Sequence, residues 1–161
     1  MNKIKIIALF GMSGAGKDSI QHWLANKIHG HEIVSYTTRP KRDYEINGKD
    51  YHFIDMNTFN QLIKEGRMLE YTFFNDWLYG TCINDLKENE INIGVFNLNG
   101  IKTLTKEYNS QLEVLPVFIH AYDRTRLMRD LNREKNPNYN EICRRFLADY
   151  EDFSCYFKIP P

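Results

Sequence analysis

Residues 11–18, GMSGAGKD, carry the spacing G-x-x-x-x-G-K directly after the apolar run Ile4 to Phe10. That pattern suits phosphate chemistry. Without Cβ atoms, Gly11, Gly14 and Gly16 allow successive backbone N–H groups to turn around a phosphate. The next helix contributes its positive N-terminal end, and Lys17 reaches the β- and γ-phosphates. Gly11, Ser13, Gly14, Ala15, Gly16, Lys17, Asp18 and Ser19 are therefore expected to hold a nucleoside triphosphate. Asp18 stands where Ser or Thr usually offers Mg²⁺ a hydroxyl, and Ser19 follows one position later.

A second constellation is basic. In Thr37-Thr38-Arg39-Pro40-Lys41-Arg42 two guanidinium groups lie three residues apart on a turn, and Tyr51 and Tyr79 offer phenolic hydroxyls nearby in sequence. Two planar donor forks with hydroxyls match a terminal phosphate, although an isolated run of this kind reads more simply as a solvated turn. Arg126, Arg129 and Arg133 recur on one helical face, followed by Arg144 and Arg145. Arg126 and Arg144 read equally well as solvated helix charges.

The elements that must position these groups alternate. Strand-like runs at Ile4–Phe10, Ile33–Ser35, Ile91–Phe96 and Val114–Ile119 are interleaved with helical patterns at Ser19–Ile28, Ile101–Tyr108, Arg124–Arg133 and Glu141–Tyr150. Continuously apolar strands imply a parallel sheet covered on both faces, hence an α/β fold. Residues 36–88 break the rhythm. They contain a short run Tyr51–Ile54, a helix from about Thr58 to Lys64 capped by Asn57 and closed by Gly66, and an aromatic stretch through Tyr71, Phe73, Phe74, Trp77 and Tyr79. This stretch reads as a small antiparallel insertion between core segments 1–35 and 89–161. The loop-like Lys135 to Asn140 suggests a mobile lid over about 129–145. Phe153, Tyr156 and Phe157 are expected to pack on the core.

With 161 residues, 42% of them hydrophobic, the chain suits one domain spanning 1–161. Zero formal net charge argues against nucleic acid or an anionic membrane as partner. The N-terminal apolar run ends in the glycine loop, so it reads as a buried strand, neither signal peptide nor membrane span. Cys82, Cys143 and Cys155 lack Cys-x-x-Cys spacing, consistent with reduced thiols and a cytoplasmic location. Oligomeric state is not legible.

Taken with the glycine loop, the string YTTRPKRDYEINGKDYHFI resembles the guanylate kinase family, in which TTR-x-x-R, Glu, Gly and DYHF occur in this order. The resemblance continues through GRMLEY and YGT and spans roughly Ile4 to Phe146. It implies a P-loop NTPase three-layer core with a nucleotide-binding insertion and a helical lid, phosphorylating GMP or dGMP with ATP and Mg²⁺. Carried over, Arg39, Arg42, Tyr51 and Tyr79 would hold the GMP phosphate, and Ser35, Glu70 and Thr81 would read guanine. Glu45 would lie beside the reacting phosphates. Lys17, Arg39, Arg133 and Arg145 would neutralise charge on the transferred group. A carboxylate such as Glu70 matches guanine's adjacent N1–H and N2 donors, while hydroxyls can donate to O6.

The resemblance has departures. Val95 and Asn97 replace two acidic residues, with Asn97 remaining on the acceptor side, and Asp130 occupies a usual arginine site. No protein ligand for the metal stands out, so Mg²⁺ is expected through phosphates and water, with Asp18 or Glu45 further out. The chain stops at Pro160-Pro161, ahead of the family's last strand, so ATP in preference to GTP is an expectation. Two alternatives stay open at this point, a ribose 1,5-bisphosphate phosphokinase and a catalytically silent guanylate-kinase-like binding module.

Overall fold

Strand β1 (Ile4–Phe10) is apolar on both faces because both are covered. In the computed structural model, which describes residues 3–133 and 135–154, Ile6 and Ala8 of β1 face one layer while Ile7 and Leu9 face the other. Helix α1 (Lys17–Ile28) closes the second layer with Ile20, Leu24 and Ala25. The first layer is closed by α3 (Leu98–Lys106), through Ile101 and Leu104. Burial of one such leucine contributes about 2 kcal/mol.

The sheet between them is parallel, in the order β2 (His31–Glu32), β7 (Ile91–Val95), β1, β8 (Leu112–Phe118). Strand β8 sits at one end of this order, where Pro116 can be accommodated on the unpaired side. With helices on both faces, this is the three-layer α/β core expected from the sequence.

A second sheet has the order β4 (His52–Phe53), β3 (Tyr36–Thr37), β6 (Trp77–Cys82), β5 (Met68–Phe74). Strands β3, β6 and β5 pair antiparallel, but β3 and β4 run parallel, so this sheet is mixed. Phe59 and Leu62 of α2 (Met56–Lys64) pack on Met68, Leu78 and Cys82. Leu69 of β5 joins the Ile6 cluster and fastens this sheet to the core.

Several boundaries differ from the sequence reading for local reasons. Asp55, not Asn57, caps α2, accepting from Thr58 N at 2.9 Å, so the helix starts at Met56. The expected strand Ile33–Ser35 is instead His31–Glu32, because the Asp85 carboxylate takes the Val34 N–H at 2.8 Å and turns the chain out of the sheet. Asn97 accepts from Gly100 N at 2.7 Å and starts α3 three residues before Ile101. Helix α4 (Asp123–Asn132) and the long α5 (Tyr139–Ser154) follow β8. Phe153 is buried against Phe118, with ring centroids 5.7 Å apart, whereas Tyr156 and Phe157 lie outside the described residues. Among the described residues no helix is long and apolar enough to cross a membrane.

Candidate functional site

The glycine loop leaves β1 with little room for anything but glycine. At Gly14, φ is +71° and a Cβ would stand 2.6 Å from the Arg126 carbonyl oxygen of α4. At Gly11 a Cβ would stand 2.3 Å from Ile119 O. The loop is thus pressed between the segment after β8 and α4. Lys17 folds back over it and donates from Nζ to Gly11 O at 2.9 Å and Met12 O at 3.0 Å. Burial pushes the Lys17 ammonium below its ordinary value, opposed by Asp18, Asp149 and Asp130. Arg129 Nη1 donates to Gly14 O and Ala15 O at 3.2 and 3.1 Å.

Arg126 is a correction to the sequence reading. Its side chain is 1% exposed, so it is no solvated helix charge. It donates to Ser13 O at 3.0 Å, Asp149 Oδ2 at 3.1 Å and Asp123 Oδ1 at 2.8 Å. Asp149 in turn accepts from Ser13 N at 2.7 Å. Nothing in the spacing of Asp149 announced this partnership, which joins residues 136 positions apart.

The arginine turn is organised around one carboxylate. Glu45, 6% exposed, accepts from Arg39 Nη2 at 2.6 Å and from the Arg42 N–H at 2.8 Å. Burial draws the Glu45 pKa upward, but these donors outweigh it and hold the carboxyl below its usual value. Arg39 lies 5.7 Å from the Tyr51 ring centroid, and the Tyr51 and Tyr79 rings are 6.1 Å apart. Burial first, then the charge of Asp18, pushes the Tyr51 phenol up to about 12, so Tyr51 is a neutral hydroxyl donor.

A cleft of about 610 Å³ joins the turn to the helical side. Arg39, Arg42, Glu45, Tyr51 and Tyr79 line it from the second sheet, with Asp130, Arg133 and Arg145 opposite. Arg145 Nε is buried and, among the described residues, has no hydrogen-bond partner, lying 3.7 Å from Glu141 Oε1. Arg144 points elsewhere, pairing with Glu141 at 2.8 Å and lying 4.6 Å from the Phe74 ring centroid at the β5–β6 hairpin tip. A further hollow of about 700 Å³ follows α4 past Arg124, Thr125, Met128 and Arg129.

Of the remaining residues, Thr81 meets Glu70 directly and Ser35 does not. Thr81 stands opposite Glu70 in the β5–β6 register and donates from Oγ1 to Glu70 Oε1 at 2.7 Å. Burial raises the Glu70 pKa against these Thr81 bonds. A Cβ on Gly100 would lie 3.0 Å from Glu70 Oε2 and 3.4 Å from Asn97 Oδ1, so the start of α3 borders the carboxylate. Ser35 takes part in the sheet through its carbonyl, which accepts from His52 N at 2.9 Å. Among the described residues its hydroxyl makes no bond to Glu70.

Among the described residues no cluster of three or more His, Cys, Asp or Glu side chains is arranged to hold a metal ion. Asp18 remains a hard oxygen donor next to Lys17, of the type Mg²⁺ prefers.

The family model described as Guanylate kinase matches residues 3–159. A guanylate kinase of Wigglesworthia glossinidia brevipalpis is 33% identical, over 98% of this chain and 78% of the relative. One from Helicobacter pylori (strain ATCC 700392 / 26695) is 30% identical, over 96% and 76%. The crystal structure of guanylate kinase from Anaplasma phagocytophilum superposes with a TM-score of 0.65 at 22% identity, covering 96% of this chain and 74% of that one, a likeness of fold.

Proposed function

Because the chain belongs to the guanylate kinase family, we propose that it transfers the γ-phosphoryl group of ATP to the 5′-phosphate of GMP, giving ADP and GDP. The observation that carries the acceptor assignment is a part-buried carboxylate, Glu70, which among the described residues is bonded by Thr81, whose hydroxyl donates to it at 2.7 Å. A buried carboxylate calls for donors. Guanine supplies two side by side, N1–H and the N2 amine, whereas adenine turns an acceptor toward the same place. Leaving Glu70 unmatched supports discrimination of about 10⁴ against AMP. Asn97 lies beside Gly100 at the same end of α3, and Ser35 is the hydroxyl assigned to O6. The 2-deoxy substrate dGMP meets the same base contacts.

Arg39, Arg42, Tyr51 and Tyr79 bind the GMP phosphate, with Glu45 keeping the Arg39 fork in place. On the donor side the loop carbonyls are taken by Lys17, Arg126 and Arg129. The Ser13 N–H is taken by Asp149 and the Ala15 N–H by Met12 O, so the other N–H groups of the glycine loop and the start of α1 are offered to the ATP phosphates, and the hollow along α4 accommodates the rest of the nucleotide. When ATP approaches, Lys17 exchanges its carbonyl partners for phosphate oxygens. Arg133 and Arg145 complete the positive surround of the group in flight. In a loose, in-line transfer this positioning and neutralisation is most of the catalysis. Mg²⁺ bound with ATP supplies further charge compensation, and Asp18 is the residue suited to hold it through water.

The residues divide into a core spanning 1–35 and 89–161, an acceptor insertion over 36–88 and a lid over about 129–145 that excludes water on closing. Cys82 and Cys143 are free thiols, in keeping with a reducing compartment such as the cytoplasm. The test is ADP formation from Mg-ATP by purified protein with GMP, dGMP, AMP, dTMP and ribose 1,5-bisphosphate as acceptors. Turnover restricted to guanine nucleotides is expected. Turnover with AMP or the sugar bisphosphate, or none with GMP, overturns the assignment.

A further inference from the structure

The network beneath the glycine loop does more than the phosphate-binding pattern requires. Ser13 has both of its backbone polar groups taken by side chains from the far end of the chain. Its N–H donates to Asp149 Oδ2 of α5 at 2.7 Å, and its carbonyl accepts from Arg126 Nη1 of α4 at 3.0 Å. The same Nη1 donates to the same Asp149 oxygen at 3.1 Å. Three groups thus close one ring of charge-assisted bonds around a single loop residue.

The surroundings make this ring exacting. The Arg126 guanidinium is 1% exposed and lies 4.7 Å from the ring centroid of Phe146, one turn before Asp149 on α5. Asp123 covers its remaining edge, accepting from Nη2 at 2.8 Å and from Tyr150 OH at 2.6 Å. Burying an arginine with two carboxylates is a poor way to gain stability, since apolar side chains of similar volume do as well or better. It is a good way to fix a geometry. The loop needs one, because its glycines give it little stiffness of its own, and Gly14 lies directly on the Arg126 backbone.

We propose that Arg126 and Asp149 are positioning residues that hold the Ser13 peptide, and with it the phosphate loop, in the shape that receives ATP. The ring also makes ATP affinity depend on α5 being seated on α4. Neither side chain touches the reacting groups. Their action is through the loop amides, and the assignment rests on the reading of this loop as the ATP site.

The experiment measures dissociation constants for Mg-ATP and GMP by calorimetry, with melting temperatures, for the wild type and three variants. Asp149→Ala is expected to weaken Mg-ATP binding by about tenfold or more, with GMP within about twofold of wild type. Asp149→Asn keeps an oxygen that can accept from the Ser13 N–H, and is expected to recover ATP binding to within about threefold of wild type even where its melting temperature stays low. An Asp149→Ala protein that melts early yet binds Mg-ATP as wild type does overturns the assignment, as does parallel weakening of ATP and GMP. Should that variant not fold, Arg126→Lys, which loses the fork, carries the test. Selective weakening of ATP supports the proposal, and unchanged ATP affinity overturns it. Binding is read without turnover, so a wild type that binds Mg-ATP but does not phosphorylate GMP counts against the guanylate kinase reading alone.

Discussion

Thr81 and Glu70 face each other across the β5–β6 hairpin, and the hydroxyl of the first is turned onto the carboxylate of the second at 2.7 Å. Gly100 at the start of α3 leaves room beside the other carboxylate oxygen that a Cβ would fill, standing 3.0 Å from it. A buried carboxylate held this way is uncomfortable when ionised, which is why burial raises its pKa.

Two consequences at Glu70 can be measured together. Its folded pKa lies above the usual 4.5, so the free protein holds this proton more tightly than the unfolded chain does. The contribution of Glu70 to stability is therefore fully present below 4.5 and is lost as pH rises through the raised folded value. If guanine pairs with the ionised form, as proposed, GMP should stabilise the protein increasingly over that same window. In Glu70→Gln the pH-dependent segment should vanish, and kcat/KM for GMP should fall about 100-fold or more while AMP changes little. Melting curves against pH with and without GMP, and steady-state kinetics on both nucleotides, check this. Unchanged GMP preference in the variant moves base reading elsewhere.

Glu45 has the opposite sign. Its folded pKa lies below 4.5 because the Arg39 and Arg42 contacts outweigh burial. Its stabilisation is present above 4.5 and is lost as pH falls through the depressed folded value. Glu45→Gln should lower stability by about 1–3 kcal/mol at neutral pH and raise KM for GMP, because the Arg39 guanidinium loses the partner that orients it. Denaturant midpoints at pH 7 and pH 3 are the measurement, and the gap between wild type and variant should narrow at the lower pH.

The contrast between these two carboxylates shows where the sequence was readable. The fold class, the loop and the arginine turn were legible because each is local. β1 is apolar throughout except for the exposed Lys5, and the glycine spacing lies within eight residues. Element ends were less so, since side chains from elsewhere decide them. Asp85, 51 residues after Val34, ends the strand expected at Ile33 to Ser35. The order of residues brings Glu70 to Thr81 through one hairpin register, but nothing local signals that Asp149 reaches Ser13 or that Arg126 is buried. Those contacts depend on how α4 and α5 pack, which helical periodicity does not specify.

Lys17 carries a charge that burial disfavours, and it spends its donors on the Gly11 and Met12 carbonyls. Lys17→Ala should lower kcat by about 10³ or more while GMP affinity stays within about twofold, since the lysine lies on the donor side. In the wild type, ATP binding should weaken at alkaline pH before an ordinary lysine at 10.5 would titrate, because the folded value is lower. Single-turnover kinetics and GMP calorimetry separate the two sides. Parallel loss of GMP binding in the variant contradicts this division of labour.

Arg145 is a cleft arginine with unspent hydrogen-bonding capacity among the described residues. Its Nε is buried and unbonded, and Glu141 at 3.7 Å is beyond hydrogen-bonding range. By contrast Arg144, one residue earlier, is held on Glu141 and Phe74. A guanidinium kept in this condition gains most when a dianionic group passes in front of it, so its effect should appear in the transition state more than in either bound substrate. Arg145→Ala should lower kcat by about 100-fold or more with KM for GMP changed less than about threefold. Arg145→Lys, which keeps the charge but not the fork, should recover only part of that loss. Steady-state kinetics with both substrates varied decide the matter: a raised KM at unchanged kcat makes Arg145 a ground-state contact.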